Sequence, residues 1–431
     1  MAPSFSSVLV TALAISQITL ALPASSSETS DNTQSTSPGT LSLHQARDVS
    51  PAMSGISALA EIYSKYGVLM PGKLKDAVEK NQKRATTSAS APTAPLGTCG
   101  NKFVVQANIG HPGRNTFNLI FDTSSADFWV HSKDTANPNA LQPAYIGATK
   151  FSSTELPGYT WTTEDPNGNT ASGIVYRDTV TFGGLRATGQ AIQVAKTAPR
   201  SFQDLQSVSG VMGMAFSSRN TVKPISECNV FDTFLPRLDD TVFAVDMKHC
   251  LHGQVDFGFI DGYAYNTILG YTDVSNDRGY WNFTSHILGA ADVKEIDEIK
   301  VEGEGTENVI ADTASELLML PMKYNIDYYM RVDGGHYNNK YGGFVFPCAS
   351  QLPDFTFMSR YSPITIPGRY LKHSRVNAES DLCFGGLQSS NDLGLNVLGS
   401  PAFKSAFVVF DPVKSVIGWA KKDLWDKQFS S

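Results

Sequence analysis

Short apolar runs, each bounded by Gly, Pro, Asn or Asp, fill the chain from Lys102 onward. They predict strands at 102–109, 116–121, 174–182, 191–195, 242–246, 253–259, 309–311, 345–346, 355–358, 405–410 and 416–419. Helix candidates are few and short, at 201–205, 229–235 and 323–330. Strands this dense with helices this sparse predict an all-β chain.

The first eighty-odd residues follow another pattern. Residues 8–22 are apolar but interrupted by Ser16, Gln17 and Thr19, too short and too broken for a membrane span. Thr19 and Ala21 are small and precede Leu22-Pro23, so residues 1–21 read as a signal peptide cleaved after Ala21. Residues 25–40 are polar and rich in Ser and Thr. Ile56, Leu59, Ile62, Tyr63 and Tyr66 then recur at three- and four-residue spacing, an amphipathic helix that ends at Gly67. The basic pair Lys83-Arg84 follows, beside a polar and flexible-looking run at 85–95. In a secreted chain such a pair is a site for a kexin-like processing protease, which makes 22–84 a pro-segment. Two lobes then follow, at 85–270 and 271–431.

Composition narrows the function. Charged residues are 17% of the 431, below the ~25% of an average soluble protein, and hydrophobic residues are 41%, enough for a large core. The net charge is −7; up to Arg84 there are 7 basic and 6 acidic residues, and after it 27 and 35. The pro-segment could therefore neutralise an acidic cleft. An acidic chain without a basic run is not expected to bind nucleic acid. No later segment reaches ~18 uninterrupted apolar residues, so no membrane span is expected. The five cysteines show no CxxC pair and the eight histidines no HExxH spacing, so neither a metal nor a cofactor is expected.

Two stretches of the β region repeat in order. Phe121-Asp122-Thr123-Ser124-Ser125 follows one apolar strand, and Ala311-Asp312-Thr313-Ala314-Ser315 follows another. Each is matched downstream by an apolar-apolar-Gly step, Val211-Met212-Gly213 and Val397-Leu398-Gly399, at offsets of 91 and 87 residues from the aspartate. A lone Asp-Thr is an ordinary strand-end turn. Two of them with matched glycines predict two related β lobes that bring Asp122 and Asp312 together across a cleft. Two carboxylates ~3 Å apart cannot both ionise, so they share a proton and titrate as a unit. The anion can act as general base on a water and its partner can protonate a carbonyl oxygen. The hydroxyls of Ser125 and Ser315 are placed to hydrogen-bond the carboxylates, and Thr123 and Thr313 to bond across the lobes.

From 100 to 420 the chain resembles the pepsin-like aspartic proteases, above all the secreted fungal ones. The two Asp-Thr segments carry the likeness. With them go 210–216, Asp256-Phe257-Gly258, Phe346-Pro347-Cys348, Cys383-Phe384-Gly385-Gly386 and Ala406-Phe407-Val408-Val409-Phe410. The resemblance implies a bilobal fold, an all-β pepsin-like architecture with the active site between the lobes, and a disulfide between Cys348 and Cys383. Cys228 and Cys250 are expected to pair within the first lobe, leaving Cys99 over. The departures are specific. Ser124 and Ala314 stand where the family has glycine. Asp165 falls at the flap tyrosine that would bond Trp129, with Pro166 and Asn167 beside it. Glu316 replaces a small hydroxyl residue and Ser400 an aspartate.

The expected function is a secreted, monomeric aspartic endopeptidase acting on peptide or protein substrates at acidic pH. The altered loops leave two other readings open: acid/base chemistry on a small molecule in fungal secondary metabolism, or an inactive pseudoprotease. Asn282-Phe283-Thr284 is a glycosylation sequon.

Overall fold

The computed structural model describes residues 89–95, 102–110, 116–136, 144–145, 153–164, 170–198, 202, 205, 208–290, 305–376 and 380–424. The segments expected as signal peptide and pro-segment, the pair Lys83-Arg84, Cys99 and the flap positions Asp165, Pro166 and Asn167 lie outside them.

Each half of the β region folds the same way around its Asp-Thr loop. In the first, strand Gly210–Gly213 lies between two others. It runs parallel to Thr116–Asp122, with Asp122 opposite Gly213, and antiparallel to Phe128–His131. In the second, Asn396–Leu398 runs parallel to Thr306–Ala311, with Ala311 opposite Leu398, and antiparallel to Leu318–Leu320. The matched offsets in the sequence reflect this shared path.

Antiparallel strands join the halves, in the order Ala89–Pro95, Leu251–Phe257, Phe243–Lys248, Ala406–Asp411, Val416–Lys421, Gly270–Ser275. The apolar core continues through this junction. Phe243 of the first half stacks on Phe410 of the second at 4.5 Å between ring centroids. Trp281 is buried and donates its indole N–H to Met214 O at 2.9 Å, next to Gly213. Buried Lys422 donates to Asp246 Oδ1 at 2.9 Å and to Phe403 O at 3.0 Å, fastening the end of the last strand.

The run at 85–95 is not a flexible linker throughout. Ala89–Pro95 is a strand of the joining sheet, with Ala89, Ala91 and Thr93 turned inward at period two. Its inward side chains are too small to mark it as apolar. The helices at 229–235 and 323–330 are observed as Val230–Phe234, capped by Asn229 Oδ1 accepting from Asp232 N at 2.8 Å, and as Met322–Tyr329. Cys348 and Cys383 form a disulfide. Cys228 and Cys250 do not pair: Cys228 is a free, exposed thiol and Cys250 is in a disulfide with another partner. The two sit on different elements. Cys228 precedes the short helix, and Cys250 turns the hairpin between Phe243–Lys248 and Leu251–Phe257 with φ at 56°. Asn282 is half-buried at the start of a strand paired on both sides. No helix among the described residues is long and apolar enough to cross a membrane.

Candidate active site

Both aspartates sit at strand ends because the chain must turn there beneath the inserted strand. Asp122 ends Thr116–Asp122, and its carbonyl accepts from Met214 N at 2.7 Å. Asp312 follows Thr306–Ala311, and its N–H donates to Leu398 O at 3.1 Å. The inserted strand passes so close that only glycine fits. A Cβ on Gly213 would lie 2.6 Å from the backbone O and N of Asp127 and from Ser125 O, and one on Gly399 would lie 2.2 Å from Leu317 O.

The two threonines lock the loops to each other. Thr123 Oγ1 accepts from Thr313 N at 3.0 Å and donates to Ala311 O at 2.8 Å. Thr313 Oγ1 accepts from Thr123 N at 3.1 Å and donates to Phe121 O at 2.7 Å. Both are fully buried, so each of these bonds lies in a low-dielectric junction between the lobes.

The carboxylates are held differently. Asp122 Oδ1 accepts from Ser124 N at 2.8 Å and from Ser124 Oγ at 2.7 Å. Asp312 Oδ1 accepts from Ala314 N at 2.9 Å and from Ser315 N at 3.0 Å. Among the described residues no donor reaches either Oδ2. Burial, then the charge of Asp122, pushes the Asp312 carboxyl up to about 7, against the pull of the two N–H groups and Lys102. The hydroxyls of Ser125 and Ser315 do not bond the carboxylates as expected, although the Ser315 amide does. Ser125 Oγ accepts from Asp127 N at 3.1 Å, and Ser315 Oγ donates to Leu317 O at 3.3 Å. Serine hydroxyls rotate freely, and each finds a backbone group two residues on. The hydroxyl at the dyad is Ser124's, at the position where glycine was expected.

Several supporting residues escaped the sequence reading. Asp127 is buried and accepts from Thr221 N and Thr221 Oγ1, both at 2.9 Å, and from Asn220 Nδ2 at 3.1 Å. Arg219 Nε donates to Ser124 O at 3.2 Å while its guanidinium lies 3.7 Å from the Tyr280 ring centroid. Lys102 Nζ donates to Ala314 O at 3.0 Å and pairs with Glu316 Oε1 at 3.3 Å. Glu316 Oε2 meets His373 Nε2 at 3.0 Å. That bond, then Lys102, holds the Glu316 carboxyl down at about 2, against its partial burial. Isolated charges at strand ends carry no motif, so Arg219, Lys102 and the partners of Glu316 were not legible. Trp129 stacks on Trp161 at 5.9 Å and packs at a tilt against Phe202 at 4.6 Å in a small buried cluster. Ser400 is buried and its N–H donates to Ser315 O at 2.8 Å.

The chain is similar to known proteins. The profile of the eukaryotic aspartyl proteases matches residues 102–422. Endothiapepsin of Cryphonectria parasitica is 37% identical over 391 residues, 89% of this chain and 91% of that protein. Penicillopepsin-1 of Penicillium rubens is 38% identical over 364 residues, 84% of this chain and 86% of that protein. The crystal structure of an aspartic proteinase from Irpex lacteus matches with a TM-score of 0.61 at 18% identity, covering 78% of this chain and 98% of that one, a likeness of fold. The family profile and these relatives each span most of the chain, and the chain belongs to the eukaryotic aspartyl protease family.

Proposed function

We propose that this protein is a secreted, monomeric aspartic endopeptidase, made with a signal peptide (1–21) and a pro-segment (22–84), that cleaves peptide bonds at acidic pH. The observation that carries the reading is the reciprocal Thr123–Thr313 lock, which fixes one carboxylate from each lobe at a shared junction. Burial and the neighbouring charge raise the proton affinity of Asp312, while Ser124 gives two hydrogen bonds to Asp122. A water between the two Oδ2 atoms gives its proton to Asp122 as its oxygen attacks the peptide carbon. Asp312 protonates the carbonyl oxygen. When the resulting gem-diol collapses, Asp122 passes its proton to the leaving nitrogen, the C–N bond breaks, and Asp312 recovers a proton from a diol hydroxyl. Release after Arg84 is compatible with the sheet, since Ala89–Pro95 is seated beyond the cut.

The test is cleavage of a denatured protein from acid to neutral pH, with binding of a statine peptide that mimics the hydrated peptide. Asp122→Asn and Asp312→Asn should each lower kcat by about 10³-fold or more. A folded protein that neither cleaves nor binds the statine peptide would sink the reading. Small-molecule acid/base chemistry is the second reading, and the observation favouring it is the charge at Glu316 beside the Asp312 loop. It would stand if such a conversion then disappeared in Asp122→Asn. An Asp122→Asn variant indistinguishable from the parent in every assay would indicate a binding protein.

A further inference from the structure

Lys102 belongs to the first lobe, one residue before strand Phe103–Ile109, yet its ammonium group works in the second. The carbonyl it meets, Ala314 O, shares a peptide unit with the N–H of Ser315. That N–H donates to Asp312 Oδ1 at 3.0 Å. The atoms form one line: Lys102 Nζ–H to O=C of Ala314, then N–H of Ser315 to Asp312 Oδ1. A cation on the carbonyl end of an amide polarises it and strengthens the N–H at the other end. Glu316 anchors the lysine through one oxygen and is itself held by His373 through the other.

The first loop has a cation at the corresponding carbonyl, since Arg219 Nε donates to Ser124 O. There the relay does not reach the carboxylate. Asp122 takes its bonds from the N–H and hydroxyl of Ser124, and neither belongs to the peptide that Arg219 touches. A cation coupled to the carboxylate through one peptide is thus a property of the Asp312 side.

Taking the dyad reading above as its basis, we propose that Lys102 is a positioning residue that acts across the lobes, through the Ala314–Ser315 peptide, to orient the Asp312 carboxyl and limit its proton affinity. The charged groups around that carboxyl are Asp122 from the facing loop, Lys102 from the first lobe, and Glu316 on its own loop. His373 from strand Lys372–Arg375 stands behind Glu316, as does Lys404 from the helix Ser400–Ser405. Of these, Lys102 both opposes the Asp122 charge and bonds the peptide that holds Asp312.

Removing the lysine should let the proton affinity of Asp312 rise. In the processed enzyme, Lys102→Met should move the alkaline limb of the kcat/KM profile upward by about half a pH unit or more. Lys102→Arg should restore the limb. Lys102→Met/Glu316→Gln should keep the limb raised, because the relay stays broken when the carboxylate charge is also gone. A limb that does not move in Lys102→Met overturns the proposal whatever happens to kcat. A limb that returns to its original place in the double variant also overturns it, since the bare charge of Glu316 would then be the cause. If the chain cleaves nothing, carbon-13 NMR titration of the aspartate carboxyls, with Asp312 assigned through Asp312→Asn, reads the same shift. The protease reading can then fail while Lys102 is still judged, and an unshifted Asp312 midpoint overturns the role of Lys102 alone.

Discussion

The loop that carries Asp122 and the loop that carries Asp312 follow the same path and differ in what touches the carboxylates. Both have an inward threonine bonded to the other loop, and both lie under an inserted strand whose glycine admits no side chain. On the first, a serine gives a hydroxyl and an amide to Asp122. On the second, two successive amides serve Asp312 and Ala314 adds a methyl group. Further along, the first loop buries Asp127 among neutral donors, whereas the second sets Glu316 between Lys102 and His373. The backbone packing tolerates no difference between the loops and the chemistry around the carboxylates does. Residues that hold the path are duplicated, and residues that set charge are not.

The largest effect should come from breaking what the loops share. Gly399→Ala places a Cβ 2.2 Å from Leu317 O, and Gly213→Ala meets three backbone atoms at 2.6 Å. Backbone cannot rotate away as a side chain can. Each substitution is expected to destabilise the protein by about 4 kcal/mol or more, or to prevent folding. Equilibrium denaturation of the two variants checks this. A stable Gly399→Ala protein with a normal midpoint would mean that the second path is looser than the first.

How much of this could be read from the sequence follows the same division. The Asp-Thr repeat and its glycines were legible because parallel pairing beside the turn fixes both identity and spacing: Asp122 faces Gly213, and Ala311 faces Leu398 one residue before Gly399. The Thr123–Thr313 bonds followed from the symmetry of the repeat. Ala89–Pro95 was missed because Ala89, Ala91 and Thr93 bury little apolar surface each, and its partner Leu251–Phe257 lies far along the chain. Lys102 and Arg219 were missed because their meaning arises only when the fold brings them to Ala314 and Ser124. The pairing of Cys228 with Cys250 was expected from their sharing the first lobe, which does not fix a partner: Cys228 is free and Cys250 bonds another cysteine. Ser124 was read as a substitute for glycine, although a hydroxyl two residues after an aspartate can bond it locally.

A second contrast concerns acid. His131 ends the first lobe's strand Phe128–His131, is 2% exposed, and packs against Trp129 at 5.5 Å and Phe202 at 6.4 Å. Among the described residues neither ring nitrogen has a partner, and burial pushes its pKa down from 6.5 to about 4. A histidine whose folded pKa is depressed favours the fold when neutral. Its contribution is fully present above pH 6.5 and is lost as pH falls toward 4. The loss amounts to about 3 kcal/mol. Glu316, held down at about 2 by His373 and Lys102, contributes stability that persists until pH falls below its ordinary 4.5 toward 2. The first lobe should therefore weaken between pH 6.5 and 4, while the Glu316 cluster beside the second loop still holds. His131→Phe should flatten the melting temperature over that range, and an unchanged slope would remove His131 as the cause.

The smallest effect tests the difference at the carboxylates directly. Ser124→Ala keeps the amide at 2.8 Å and removes the hydroxyl at 2.7 Å, so the Asp122 anion loses one of its two donors. A hydrogen bond to a charged group contributes about 1.5–3 kcal/mol, and part of that returns when water or the remaining amide compensates. The kcat should then fall by about tenfold or less. Ala314→Gly, the corresponding change on the other loop, removes a methyl group and no donor, so its kcat should stay in place. A loss of equal size in both variants would mean that loop flexibility, not the Ser124 hydroxyl, is the cause. A loss in Ser124→Ala alone assigns to this serine a bond that glycine, having no side chain, cannot make.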